Sequence, residues 1–177
     1  MRSGTKKVAV ARMMRLSRIA FVAGPADNRD ARERRRGYED ALREFDPAAG
    51  PVVVAGDFDQ ASGARAATRL LERTPRPDAI FAANDAMAIG CLRACADAGV
   101  DVPGEVAVAG FDDIPLARLV HPALTTMQVD IAGLGASALR LLVQSGEGAG
   151  AGDGSRSIVP QLVIRGSSLC AGSRPLP

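Results

Sequence analysis

From Arg18 onward the chain alternates short apolar, β-branched runs with longer segments of helical period, and this alternation narrows the choice of fold more than any other feature. Strands separated by helices cannot close tight hairpins, so each crossover brings the chain back in the same direction and builds a parallel sheet flanked by helices, an α/β fold. The runs read as strands over 19–23, 52–56, 79–83, 106–110 and 124–129. The periodic stretches between them read as helices near 30–45, 60–73 and 84–98, the last followed by Gly99, placed for a left-handed C-terminal cap. The fourth run leads into Phe111-Asp-Asp-Ile-Pro115, where the proline allows only a short turn.

At 177 residues the chain suffices for one ordinary domain. With 3% aromatic residues and no Trp, its core must rest on Ala, Val, Leu and Ile. A net charge of +2 is too small to indicate nucleic-acid binding. The lead segment, 1–17, is basic through Arg2, Lys6, Lys7, Arg12 and Arg15. The last two arginines, with Arg18, interrupt the apolar core that an export signal needs. No apolar run approaches the roughly 18 residues of a membrane span, and three cysteines do not make a disulfide framework. A cytoplasmic protein is expected, with Cys91 and Cys95 as small core residues and not metal ligands.

The α/β lobe is expected to span 18–129. Residues 130–146 follow as an amphipathic helix whose Ile131, Leu134, Ala138, Leu141 and Leu142 require a partner, so that it folds back, pairs with another chain or frays. A Gly-rich linker over 147–157, a returning strand over 158–166 and a loose tail over 167–177 complete the chain.

In a parallel sheet, small ligands bind beyond the carboxyl ends of the strands. Asn84 stands at such an end and either caps the next helix or touches a ligand. In the first helix Tyr38, Ala41, Leu42 and Phe45 mark the inward stripe, and Arg34 lies one turn before Tyr38. At 100° per residue, Arg32, Arg35 and Arg36 turn to solvent while Arg34 faces the sheet. An inward guanidinium needs an acceptor, for which Asp112 at a neighbouring strand end is the candidate. Phe58, after Gly56-Asp57, offers either a stacking face or ordinary packing. A donor fork, an amide and an acceptor at one edge suit a polyhydroxylated or heterocyclic small molecule. Catalysis fits poorly. The single histidine, His121, sits in a loop beside Pro122, no serine or cysteine has an identifiable base, and Asp112-Asp113 are adjacent residues whose side chains diverge.

The ordered motifs Arg18-Ile-Ala-Phe-Val-Ala-Gly-Pro25, Ala31-Arg-Glu-Arg-Arg-Arg-Gly-Tyr38, Gly56-Asp-Phe58, Phe81-Ala-Ala-Asn-Asp-Ala-Met-Ala-Ile-Gly90, Val106-Ala-Val-Ala-Gly-Phe-Asp-Asp113 and Leu124-Thr-Thr126 resemble the effector-binding core of the lactose-repressor (LacI/GalR) family of transcription regulators. The resemblance implies a periplasmic-binding-protein-like type I fold, of which these residues form the carboxyl-proximal lobe plus one helix, 131–144, of the other lobe. It further implies a small-molecule effector (sugar or nucleoside-like) held by Arg34, Phe58, Asn84 and Asp112, without cofactor, metal or catalytic residue. A homodimer is implied as partner, as is operator DNA, read through a helix-turn-helix domain that this chain lacks. The chain departs from the family in carrying Val129 where many members have Gln, and Leu16-Ser17 where Gly-His is usual. A ribose-type solute-binding protein shares the fold and much of the cleft chemistry. A non-binding dimerisation module, with Arg34 and Asp112 merely an internal ion pair, is the third reading.

Overall fold

A computed structural model describes residues 18–146 and 159–169. A six-stranded sheet of order β2-β1-β3-β4-β5-β6 forms the centre, from β1 (Ile19–Ala23), β2 (Val52–Ala55), β3 (Ala79–Ala82), β4 (Ala107–Asp112), β5 (Thr125–Gln128) and β6 (Gln161–Val163). All neighbouring pairs are parallel except the last, in which β6 runs antiparallel to β5 with Met127 opposite Leu162. The helices are α1 (Arg29–Phe45), α2 (Gln60–Leu71), α3 (Asp85–Asp97) and α4 (Ile131–Gly146). The expected alternation is therefore present, with one antiparallel edge strand added.

Helix starts are written in the sequence by their caps. Asn28, Asp59 and Asn84 each adopt extended backbone and accept a hydrogen bond from the backbone N–H three residues on. Asp59 is held below the usual carboxylate range chiefly by the Ser62 N–H. At the other end of α3, Gly99 takes φ +67, the left-handed conformation that costs glycine least.

The core contains Phe21, Leu70, Ile80, Met87, Val106, Val108 and Leu124, with many alanines between them. Small side chains let α2 and α3 pack backbone to backbone. A Cβ on Gly63 would overlap the Met87 carbonyl, and one on Gly90 would overlap the Gln60 carbonyl. Phe21 stacks on Tyr38 at 5.1 Å, and the Tyr38 hydroxyl donates to the Ile19 carbonyl at 2.8 Å while accepting from Val52 N at 3.2 Å. One aromatic residue thus ties α1 to both β1 and β2.

Two expectations need correction, and of the three outcomes expected for the helix over 130–146 one is excluded. β4 runs on to Asp112 instead of ending at 110, because ladder pairing with β5 extends to Asp112 opposite Gln128. The start of the expected tail is not loose. Gly166–Ser168 form a short 3-10 turn in which Ser167 and Ser168 are buried, and their hydroxyls meet Val108 O, Thr125 N and Thr125 Oγ1. Finally, α4 does not fold back on the described residues: Ile131, Leu139 and Leu142 are 65%, 64% and 71% exposed. The lead segment, the linker and the tail beyond 169 lie outside the described residues.

Candidate ligand-binding edge

The carboxyl ends of the parallel strands deliver Gly24, Phe58, Ala83-Asn84 and Asp112 to one rim of the sheet. Arg34 reaches this rim from α1. Its Nη1 donates to the Ala83 carbonyl at 2.7 Å and its Nη2 to Asp112 Oδ1 at 3.1 Å, while its guanidinium carbon lies 4.1 Å from the centroid of Phe111. α1 divides its arginines as its period requires: Arg32, Arg35 and Arg36 are exposed, while the Arg34 side chain is 19% exposed. Fixed over an aromatic face and between two acceptors, the guanidinium is oriented and retains further N–H donors.

Asn84 caps α3 and does more. Its Oδ1 accepts from Met87 N at 2.9 Å, and its Nδ2 donates to the Phe58 carbonyl at 3.0 Å. An amide side chain can make about four hydrogen bonds, so a donor and an acceptor position remain. The Phe58 ring packs on Gly24, where a Cβ would overlap ring carbons, and the residue stays half-buried. The four residues singled out from the sequence are thereby brought together: Asn84 holds Phe58 by its carbonyl, and Arg34 joins the neighbouring carbonyl of Ala83 to Asp112.

The backbone of this rim is strained. Phe58 (φ 60), Asp112 (φ 116) and Asp113 (φ 56) are the positive-φ non-glycine residues among those described, and all three lie here. Such conformations cost of order 1–3 kcal/mol each and persist where surroundings enforce them. The Asp112 carboxyl is pushed above its usual range by burial, which outweighs the opposing effect of the Arg34 guanidinium.

Two acids not singled out from the sequence complete the scaffold. Asp85 is fully buried beneath the end of β4; its Oδ1 accepts from Thr126 Oγ1 at 2.5 Å and its Oδ2 from Ile114 N at 2.9 Å. Burial raises its carboxyl, against the lowering effect of these two hydrogen bonds. Asp113 turns away from Asp112, as adjacent side chains do, and meets Arg165 at 2.6 Å, Gln128 at 3.0 Å and Arg118 at 3.4 Å. Among the described residues no group of three or more His, Cys, Asp or Glu is placed to hold a metal, and no helix is long and apolar enough to cross a membrane. His121 is exposed in its loop.

Beside the rim, an apolar trough of about 370 Å³ runs along the sheet between α1 and β6, lined by residues including Tyr38, Phe81, Ala109 and Leu162. Arg34 and Phe111 close the end of the lining that meets the rim.

Known proteins share this fold. A family profile described as a periplasmic binding protein-like domain matches residues 14–168. The HTH-type transcriptional repressor CytR of Escherichia coli K12 is 36% identical over 152 residues, which are 85% of this chain and 45% of that protein, so the chain spans less than half of that relative's length. Among solved structures, a sugar-binding LacI-family transcriptional regulator from Escherichia coli, complexed with phosphate, superposes with TM-score 0.84 at 32% identity, covering 94% of this chain and 60% of that one. The lac repressor dimer bound to operator and the anti-inducer ONPF gives TM-score 0.84 at 29% identity, covering 96% and 50%. With a family profile matched over most of its length, a mostly parallel sheet of the same shape and relatives that are transcription regulators, the chain belongs to the LacI/GalR family through its periplasmic-binding-protein-like domain.

Proposed function

We propose that this chain provides the carboxyl-proximal half of an effector cleft in a LacI-type regulator, gripping a sugar or nucleoside-like molecule with Arg34, Asn84 and Asp112 while Phe58 offers a ring face. The observation that carries the reading is the coincidence of strain with polarity: every left-handed non-glycine residue among those described sits at the rim where the guanidinium, amide and carboxylate meet. A fold that needed only an internal ion pair could form it on relaxed backbone. Vicinal hydroxyls or a heterocycle edge match a planar donor fork beside a carboxylate. The related regulator described as sugar-binding supports the same ligand class.

In the whole protein the cleft is completed by a second lobe, and effector binding shifts operator affinity by favouring one of two arrangements. A homodimer is part of this proposal, in keeping with the dimeric lac repressor on its operator. Operator reading is assigned to neither this rim nor this lobe.

Calorimetry against D-galactose, lactose, ribose, cytidine and adenosine tests the reading, with wild type compared with Asp112→Ala. Binding of at least one compound, weakened tenfold or more in the variant, is expected. Absence of heat with all five, or equal affinity in both proteins, would leave Arg34 and Asp112 as a structural ion pair in a dimerisation module.

A further inference from the structure

The rim is built from residues between 24 and 112, yet what fixes its tip comes from much later in the chain. Asp113, 2% exposed at its side chain, is met by the Arg165 guanidinium, 15% exposed, at 2.6 Å. Arg165 is itself bolted to β5: its Nη1 donates to the Leu124 carbonyl at 2.8 Å and its backbone N–H to Thr125 Oγ1 at 2.8 Å. One residue further on from Gly166, Ser167 accepts from Thr125 N at 2.8 Å and donates to Val108 O at 2.6 Å, so the 165–168 segment grips both β4 and β5. Below the tip, Asp85 accepts from Ile114 N and from Thr126 Oγ1, and the Asp113 N–H points to the same Thr126 hydroxyl at 3.4 Å.

These contacts enclose two successive left-handed residues, Asp112 and Asp113, neither of which is glycine. Backbone of this kind persists only where the surrounding structure over-determines it. Asp85 holds it from inside at Ile114, and Arg165 holds it from outside at Asp113. Between those fixed points Asp112 has its carboxylate turned to Arg34.

We propose that Asp113 and Arg165 are positioning residues for the ligand cleft: their ion pair locks the end of β4 in the left-handed turn that presents Asp112, so that docking of the final segment sets ligand affinity. The inference rests on the effector reading for its functional consequence and on the geometry alone for the lock. It also gives the segment after α4 a route to the cleft, since any shift that withdraws Arg165 leaves Asp113 held only by the exposed Gln128 and Arg118.

The test uses the full chain and two separate readouts, amide hydrogen exchange by NMR and calorimetry with D-galactose and cytidine. Arg165→Met is expected to raise exchange at the Ile114 amide at least tenfold while the Val22 amide, in the central strand β1, keeps its wild-type rate. Arg165→Lys should restore most of the protection. In an Asp113→Asn background, Arg165→Met should add nothing further. For any sugar or nucleoside that wild type binds, affinity should fall tenfold or more in Arg165→Met, although Arg165 does not line the rim. Unchanged Ile114 exchange in folded Arg165→Met, or an equal rise at Ile114 and Val22, overturns the lock. Should Arg165→Met not fold, Gln128→Ala, which removes a 3.0 Å hydrogen bond to the same carboxylate, replaces it. A rise at Ile114 alone supports the lock, and none refutes it. If wild type binds neither probe, the effector reading loses support while Ile114 exchange still decides the lock.

Discussion

Replacing Arg34 and Asp112 separately and together exposes an asymmetry that the geometry dictates. Arg34→Met keeps the aliphatic stem but deletes a charge-assisted hydrogen bond to Asp112, a cation–π contact with Phe111 and the donor to the Ala83 carbonyl. These are worth roughly 1.5–3, 0.5–2 and 1–3 kcal/mol respectively in enclosed surroundings. The paired side chains are 19% and 28% exposed, so water recovers part of the loss, and a destabilisation of about 2–4 kcal/mol is expected. Asp112→Ala is different. Its carboxyl stays raised by burial despite the guanidinium beside it, which means that the ionised form is a net burden on the fold. Removing it while Arg34 keeps Ala83 and Phe111 should cost no more than about 1 kcal/mol. The double variant should fall short of the summed single effects by about 1–2 kcal/mol, because each partner's loss matters less once the other is gone. Urea unfolding at pH 7 measures all four proteins. Additivity within about 0.3 kcal/mol, or a costlier Asp112→Ala than Arg34→Met, would refute the reasoning.

The same substitution should have opposite signs at two helical glycines. Gly90→Ala drives a methyl group into the α2 backbone at Gln60 and should cost about 2–3 kcal/mol, whereas Gly37→Ala, with nothing within 4 Å, should gain about 0.5–1 kcal/mol in thermal or urea unfolding. For Asp85, a raised folded pKa means that the folded state holds its proton longer than the unfolded chain does. Wild-type stability relative to Asp85→Asn should therefore fall as pH rises upward from 3.8, then level off once the buried carboxyl ionises; a gap that stays constant between pH 3.5 and 7 would contradict this. Burial pushes the Cys91 thiol far up and Cys95 to about 11, so in a Cys170→Ser protein neither should react with a thiol reagent at pH 8 until urea unfolds the chain, and rapid labelling of the native protein would show the core to be open.

Much of this is legible in the sequence. The strand–helix alternation survives because periods of 2 and 3.6 are imposed by the backbone, and Arg34 could be placed by rotation from Tyr38 because α1 is uninterrupted over 17 residues. The cap at Asn84 and the turn at Pro115 follow from local chemistry. What escaped is non-local. Asp85 was unreadable as a buried acid because its partners, Thr126 and Ile114, are 41 and 29 residues away and acids are seldom buried. Ser167 and Ser168 lie in a sequence as rich in Gly and Ser as the stretches on either side, and only the hydroxyl network with Thr125 and Val108 distinguishes them. Asp112 and Asp113 are identical letters, and the left-handed turn that sends one to Arg34 and the other to Arg165 depends on contacts from both ends of the lobe.

The antiparallel return of β6 also sets a timetable. Arg165 and Ser167 meet partners 52 and 59 residues earlier, so these contacts at the ends of β4 form only when nearly the last of the described residues has left the ribosome. During synthesis the emerging lobe can already own its central strands and the α2–α3 pair while the end of β4 still lacks its last partners. Under the proposed lock, a nascent protein that stalls short of Arg165 holds its central strands without the contacts that set Asp112.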